Sequence, residues 1–158
     1  MNDKAERPAH IPWPPILFIA ALVGSILLGI FVPLPWIPPP LSDILFAIGC
    51  LLVAGAVLIG ALAIRTLIRH KTTVMPTQPS EHLVTNGPFA LSRNPIYLAY
   101  VIILFGAGFV SGNLWFMALA LACAFAINRL AIAGEEAHLS LRFGKRYRDY
   151  SRKVRRWI

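Results

Sequence analysis

Four apolar segments, separated by two short connections and one long polar stretch, make up most of this chain of 158 residues. They cover about residues 16–32, 44–64, 95–110 and 114–133. The first, of roughly 17 residues, is at the short end of what crosses a hydrocarbon core about 30 Å thick as a helix. The pattern predicts an all-α integral membrane protein in which residues 1–158 form a single membrane domain with four transmembrane helices.

Prolines mark where two of these helices should begin. Pro14 and Pro15 cannot continue a helix from upstream but are tolerated in its first turn, so the first span is expected to start near Ile16. Pro95 suits the first turn of the third helix in the same way. The residues ahead of Ile16 lack the apolar run and cleavage site of a signal peptide, so we expect the first span to be retained.

The composition agrees with a membrane protein. Hydrophobic residues make up 57% and charged residues only 14%, and the mean hydropathy is +0.65, whereas soluble domains have about a quarter charged residues. The net charge of +8 comes from basic residues at segment ends and in the C-terminal part of the chain rather than on one soluble face. We therefore expect a membrane surface and no nucleic acid as partner.

The distribution of Lys and Arg predicts the topology. The connections after the first and third segments contain none of the fifteen basic residues, which instead lie near both termini and beside the 72–93 loop. By the positive-inside rule, the 72–93 loop and both termini are expected to be cytoplasmic, in an inner or cell membrane. This loop contains Pro76, Pro79, Asn86-Gly87 and Pro88 and is too long for a simple connector, which indicates a functional role.

The C-terminal tail, residues 134–158, is expected to be helical and cytoplasmic, with a break at Gly144. Beyond that glycine, Tyr147, Tyr150, Val154 and Trp157 are spaced to share one face of an amphipathic helix whose other face is basic. The helix could lie on anionic lipid, form one wall of a cytoplasmic site, or do both.

Charged residues at the end of the fourth segment need an explanation, because charges near a bilayer core are costly and usually face a cavity or a partner. Arg129 either faces such a cavity or partner, or its side chain snorkels outward to the membrane interface. Glu135 and Glu136 point about 100° apart on a helix, so at most one shares a face with Arg129. A second cluster of polar groups lies around the start of the third helix and consists of Arg93, Asn94 and Tyr97. We predict that this cluster and the charged residues at the end of the fourth segment form one site.

Metal chemistry is not indicated by the sequence. Cys50 and Cys123 lie in apolar runs, and the four histidines show no metal-ligand spacing. We expect no bound metal.

Two motifs carry a family resemblance. LVTNGPFALSRNPIY, residues 83–97, and EEAHLSLRFGKRYRDYSRKV, residues 135–154, together resemble the isoprenylcysteine carboxyl methyltransferases and the related phospholipid methyltransferases. Those proteins show LVT-x-G-x-Y, R-H/N-P-x-Y and EE-x-x-L-x-x-x-FG-x-x-Y-x-x-Y in this order. The resemblance covers about residues 72–156. Asn94 stands where the prenylcysteine enzymes usually have His, and Phe89 where Tyr is common.

The resemblance implies an enzyme that takes S-adenosylmethionine from the cytosol and a lipophilic acceptor from the bilayer, with the C-terminal tail completing the cofactor site. It also implies that residues from the loop, the start of the third helix and the end of the fourth bind the cofactor. They are His82, Leu83, Val84, Phe89, Arg93, Asn94, Pro95, Ile96, Tyr97, Glu135 and Glu136.

The acceptor could be a carboxylate, such as a prenylcysteine-like compound, or a lipid amine. Arg129 would pair with an acceptor carboxylate, whereas an amine must lose a proton, for which a glutamate such as Glu135 is the plausible base. Two alternatives stay open. One is an NADPH-dependent membrane reductase of a lipid double bond, since such reductases share a related R-H-P-x-Y element, and the other is a non-catalytic membrane scaffold.

Overall fold

The computed structural model describes residues 13–72 and 82–158. Within these two ranges the chain forms six α-helices, together with a 3₁₀ turn at Gly87–Ala90 and a π-helical turn at Asn128–Ile132, and no strand. This agrees with the predicted all-α class. The helices are α1 (Trp13–Phe31), α2 (Leu41–Arg69), α3 (Pro95–Ser111), α4 (Leu114–Ile127), α5 (Ala133–Phe143) and α6 (Lys145–Lys153).

Three helical stretches of the described chain are long and apolar enough to cross a membrane. They are α1, α2 and the continuous helix from Leu114 to Phe143 that comprises α4, the π turn and α5. Helix α3 is apolar too, but with 17 residues it is shorter than these three. These three helices are consistent with an integral membrane protein, and the crossing of the bilayer by α3 stays a prediction.

Two helices extend beyond the predicted membrane spans. Helix α2 continues past residue 64 to Arg69, because a basic side chain on the last turns can reach the interface without breaking the helix. The fourth helix continues past residue 133 to Phe143. Most residues after Ala133 favour helix, and Gly134 alone does not stop it. Glu135 and Glu136 therefore lie on a helix that is continuous with α4, and the bounds of the spans themselves stay a prediction.

Close backbone contact joins α2 to α3. A methyl group added to Gly106 would lie 2.9 Å from the Gly49 carbonyl oxygen and 2.7 Å from a Val53 methyl group. Only glycine at these positions allows the two backbones to approach this closely. Gly106 therefore serves helix packing.

The turn between α3 and α4 is fixed to α1. Gly112 adopts a left-handed conformation, with φ of 65°, which favours glycine. The Asn113 side chain accepts a 3.0 Å hydrogen bond from the Trp115 amide and so caps α4. Its Nδ2 also donates to the Ser25 carbonyl on α1 at 3.0 Å. This turn aligns α1, α3 and α4, which share one apolar core consisting of Ala21, Leu104, Phe116, Ala120, Cys123, Ile127 and Ile132.

The end of the chain folds back on the protein. Gly144, with φ of 52°, separates α5 from α6 as predicted, and Tyr147 and Tyr150 are buried. The predicted helical face was too long, however, because α6 ends at Lys153 and Val154 is extended. Trp157 instead packs against the apolar core. Contact of the basic face with lipid stays a prediction.

Candidate active site

The polypeptide after α6 pairs with the residues that precede α3. The Arg93 amide donates to the Arg155 carbonyl at 3.0 Å. The Arg156 carbonyl accepts from both the Ser92 hydroxyl, at 3.1 Å, and the Asn94 side-chain amide, at 3.0 Å. Pro95 follows as the first helical residue of α3 and needs no amide partner there. The C-terminal segment thus holds the start of α3 in place.

Glu136 is the centre of an ionic network at this contact. Arg156 donates to both of its carboxylate oxygens, through Nε at 2.9 Å and Nη2 at 2.7 Å. Arg93 Nη1 lies 3.0 Å from Oε1. Such two-point arginine contacts are among the stronger hydrogen bonds in proteins. Arg156 also donates to the Asn128 side-chain oxygen at 3.2 Å, and so joins the π turn to α5 and the loop.

Glu135, the neighbouring residue, has a different partner. The Tyr97 hydroxyl donates to Glu135 Oε1 at 2.5 Å, which connects α5 to the first turn of α3. Glu135 is half-buried. Within the described chain its second oxygen, Oε2, accepts no hydrogen bond, so this carboxylate has capacity left for a ligand.

The π turn at Asn128–Ile132 leads directly into α5. Its Ala131 and Ile132 side chains are buried. A π turn changes the angular register of the residues that follow, and such turns are frequent at functional sites. Because neighbouring residues on a helix point about 100° apart, Glu135 reaches Tyr97 while Glu136 reaches the two arginines. The sequence argument that the two glutamates serve different faces agrees with this geometry.

Two tyrosines of α6 extend the contact. Arg93 Nη1 donates to the Tyr147 hydroxyl at 3.1 Å, and the Tyr150 hydroxyl donates to the Phe89 carbonyl at 2.6 Å. Burial raises the pKa of both phenols, and the nearby Glu136 carboxylate raises that of Tyr147 further, against the opposing effect of Arg93. Both therefore stay protonated over the physiological range. They hold the 3₁₀ turn and Arg93 against the end of the chain.

The structure also contains a cavity of about 340 Å³. His82 and Leu83, both predicted to bind a cofactor, line it together with Arg69 at the end of α2, His70 directly after it, Phe143 of α5 and Arg146 of α6. The structure thus separates the predicted cofactor residues into groups. His82 and Leu83 face the cavity, while Arg93, Asn94, Tyr97, Glu135 and Glu136 belong to the network around α3 and α5. Val84 and Pro95 are buried, and Phe89 and Ile96 are half-buried.

Arg129 lies outside the network. Its exposed guanidinium is placed over the ring of Phe125, 5.4 Å from the ring centre, which agrees with the alternative in which Arg129 snorkels outward. Conversely, sequence reasoning missed Arg156 as a member of the network. The family-like motif stops at Val154, and nothing in the basic tail distinguishes Arg156 from its neighbours. No group of three or more potential metal ligands occurs in residues 13–72 and 82–158.

Comparison with known proteins identifies relatives for about two-thirds of the chain. A sequence profile described as phospholipid methyltransferase matches residues 44–146, which contain most of α2, all of α3 to α5 and both glutamates. Residues of this chain are 34% identical, over 75 positions, to the nickel-cobalt-cadmium resistance protein NccN of Alcaligenes xylosoxydans xylosoxydans. That match covers 48% of this chain and 35% of NccN.

A second relative is an uncharacterized protein of Haemophilus influenzae, 53% identical over 32 residues, which are 20% of this chain and 51% of that protein. The chain thus spans between about a third and a half of the length of these two curated relatives. No solved structure matches the chain.

Proposed function

This chain belongs to the phospholipid methyltransferase family, and from that premise we propose that it transfers a methyl group from S-adenosylmethionine to a lipophilic acceptor at the cytoplasmic membrane face. Family membership supports a membrane methyltransferase. The cofactor, the acceptor and the face of the membrane are parts of the proposal. The cytoplasmic face is proposed because basic residues flank the 72–93 loop, and loops rich in Lys and Arg are normally cytoplasmic.

The observation that carries the proposal is the position of Glu135. It lies in the matched region, half-buried, with one oxygen bound by Tyr97 and the other accepting no hydrogen bond from the described residues. Glu136 beside it is bound by Arg93 and Arg156. A non-catalytic scaffold offers no reason for a partly buried carboxylate to keep one oxygen without a partner, since charged groups in membrane proteins usually face a partner or a functional cavity.

The residues present fit S-adenosylmethionine. Arg93 Nε is buried and has no hydrogen-bond partner in the described structure, so it is a donor that a ligand carboxylate could satisfy. The free oxygen of Glu135 is an acceptor for the ligand's ammonium or hydroxyl groups. When bound, the cofactor supplies a methyl group already activated on a sulfonium, so the protein mainly has to align donor and acceptor.

Of the two acceptor classes, the geometry supports a lipid amine better. An amine must release a proton before or as its nitrogen takes the methyl group, and the carboxylate of Glu135 can accept that proton. Tyr97 holds this carboxylate in place. A carboxylate acceptor would need a cation such as Arg129, whose side chain lies over Phe125 outside the network. That role of Arg129 stays a prediction.

The test is incubation of the purified protein in detergent with methyl-labelled S-adenosylmethionine and a membrane lipid extract, followed by identification of the labelled product. Calorimetry on the same preparation should show binding in the micromolar range. Absence of both binding and labelling would exclude the proposal. Oxidation of NADPH with an unsaturated lipid, without any methyl transfer, would favour the reductase instead.

A further inference from the structure

One arginine of the C-terminal segment contacts the helix on both sides of the π turn. Arg156 Nη1 donates at 3.2 Å to the side-chain oxygen of Asn128, the first residue of the turn. Arg156 Nε and Nη2 donate to the two carboxylate oxygens of Glu136 on α5, at 2.9 and 2.7 Å. A single rigid guanidinium therefore binds two side chains that are eight residues apart in the sequence.

These two side chains would not share a face of a regular α-helix. Each residue turns an α-helix by about 100°, so a residue eight positions after Asn128 would point about 80° away from it. A π turn contains one residue more than an α turn, which sets every later residue back by about 100°. Glu136 then points only about 20° away from Asn128. The π turn therefore brings both side chains onto the face where Arg156 lies.

The same rotation sets the direction of Glu135. With the π turn, Glu135 points about 120° away from Asn128, and its Oε1 accepts the hydrogen bond from Tyr97. In a continuous α-helix that angle would be about 20°, so Glu135 would point toward Arg156. The residue then directed at Tyr97 would be Gly134, which has no side chain to accept the hydrogen bond. The contact between Tyr97 and Glu135 thus depends on the π turn.

We propose that Asn128 and Arg156 are positioning residues, which hold the π turn in place and thereby orient Glu135 toward Tyr97. Such turns are rare, which indicates that a helix does not favour them without outside contacts. Arg156 is itself fixed, because its backbone carbonyl accepts hydrogen bonds from two side chains just before α3. A role in methyl transfer rests on the proposed function, whereas the coupling between these two residues and the Tyr97–Glu135 contact does not.

The first test measures this coupling by thermal unfolding of the full chain in detergent, without cofactor. In wild type, Tyr97→Phe should lower the thermal midpoint by about 3 °C or more, since it removes a hydrogen bond to a carboxylate. In Asn128→Ala, Glu135 has already turned away, so the further change Tyr97→Phe should leave the midpoint unchanged. Asn128→Asp keeps the oxygen that Arg156 binds and should behave as wild type. Additive effects of Asn128→Ala and Tyr97→Phe would overturn the proposal.

The second test removes the extra residue. Deleting Leu130, an exposed residue of the turn, should convert the turn to α-helix while α5 keeps its direction. In that background Tyr97→Phe should lower the midpoint even when Asn128→Ala is present. An alanine inserted after Leu130 is the matched control, because it rotates α5 by about 100° and should abolish the effect of Tyr97→Phe. A folded deletion variant without the effect, or an insertion variant with it, would contradict the proposal, and the first test decides alone if the deletion variant does not fold.

Titration of the same variants with S-adenosylmethionine separates this inference from the proposed function. Asn128→Ala should weaken cofactor binding at least about tenfold, as Tyr97→Phe should, and the deletion of Leu130 should restore it. Coupled thermal midpoints without cofactor binding by wild type would contradict the proposed function alone. Cofactor binding by wild type without coupled midpoints would contradict the positioning role alone.

Discussion

The Tyr97 hydroxyl lies 2.5 Å from Glu135 Oε1, and this hydrogen bond joins the first turn of α3 to α5. The next residue, Glu136, is bound at both oxygens by Arg156 and approached by Arg93. Two adjacent glutamates are thus in opposite states, one fully bonded and one half-bonded. The first arrangement stabilises the contact between loop, helix and C-terminus, and the second leaves a carboxylate available for chemistry.

Tyr97→Phe should weaken S-adenosylmethionine binding at least about tenfold. The ring stays, but Glu135 loses the donor that orients it, and a hydrogen bond to a charged group contributes about 1.5–3 kcal/mol. Calorimetry in detergent measures the change. Tyr100→Phe is the matched control, since the Tyr100 ring stacks on Phe18 and its hydroxyl forms no hydrogen bond within residues 13–72 and 82–158. Equal affinities of Tyr97→Phe and wild type would show that this hydroxyl does not organise the cofactor site.

Glu135→Gln should lower the rate of methyl transfer more than it lowers thermal stability. Glutamine can still accept from Tyr97, so the contact between α3 and α5 persists, but it cannot take a proton from an amine. The measurement is labelled product formed per minute at saturating cofactor, with the thermal midpoint recorded alongside. If activity is unchanged, Glu135 is not the base, and a carboxylate acceptor becomes the better hypothesis.

Glu136→Gln should loosen the end of the chain. Removing the charge leaves Arg93 and Arg156 without their shared partner, and unpaired partly buried charges are costly. We expect chymotrypsin to cleave at Tyr147 and Tyr150 several-fold faster than in wild type. Asp149→Asn, which removes an exposed carboxylate from the same helix, should leave the rate unchanged. Cleavage at the wild-type rate in Glu136→Gln would mean that the network does not hold this segment.

Much of this arrangement could be predicted from local sequence. Apolar length predicted the helices, the left-handed preference of Gly144 predicted the break before α6, and motif order brought Tyr97 and Glu135 to one site. Three features could not be predicted in this way. The π turn at Asn128–Ile132, which sets the directions of the two glutamates, has no signal in the local sequence. The choice of Arg156 among many basic residues depends on how the chain folds back after Lys153, and the outward position of Arg129 depends on packing against Phe125.

Gly106→Ala should destabilise the contact between α2 and α3. The added methyl group would lie within 3 Å of the Gly49 carbonyl oxygen and a Val53 methyl group, and overpacking of this kind costs about 1–3 kcal/mol. A thermal midpoint several degrees lower is expected in detergent. Gly55→Ala is the matched control on α2, because a methyl group there meets nothing within 4 Å, and it should be neutral or slightly stabilising. Equal midpoints for the two variants would show that the helices are not in close contact at Gly106.

Alkaline pH should release the C-terminal segment through its tyrosines. Burial raises the pKa of Tyr147 and Tyr150 above that of an unfolded tyrosine, so the folded chain holds these phenolic protons more tightly. Their stabilising contribution is therefore complete below about pH 10 and is lost as the pH rises through the folded pKa. The Tyr150 hydroxyl would also lose its ability to donate to the Phe89 carbonyl. Thermal midpoints measured between pH 9 and about pH 12 should fall less steeply in Tyr150→Phe than in wild type, whereas parallel curves would show that ionisation of Tyr150 is not linked to folding.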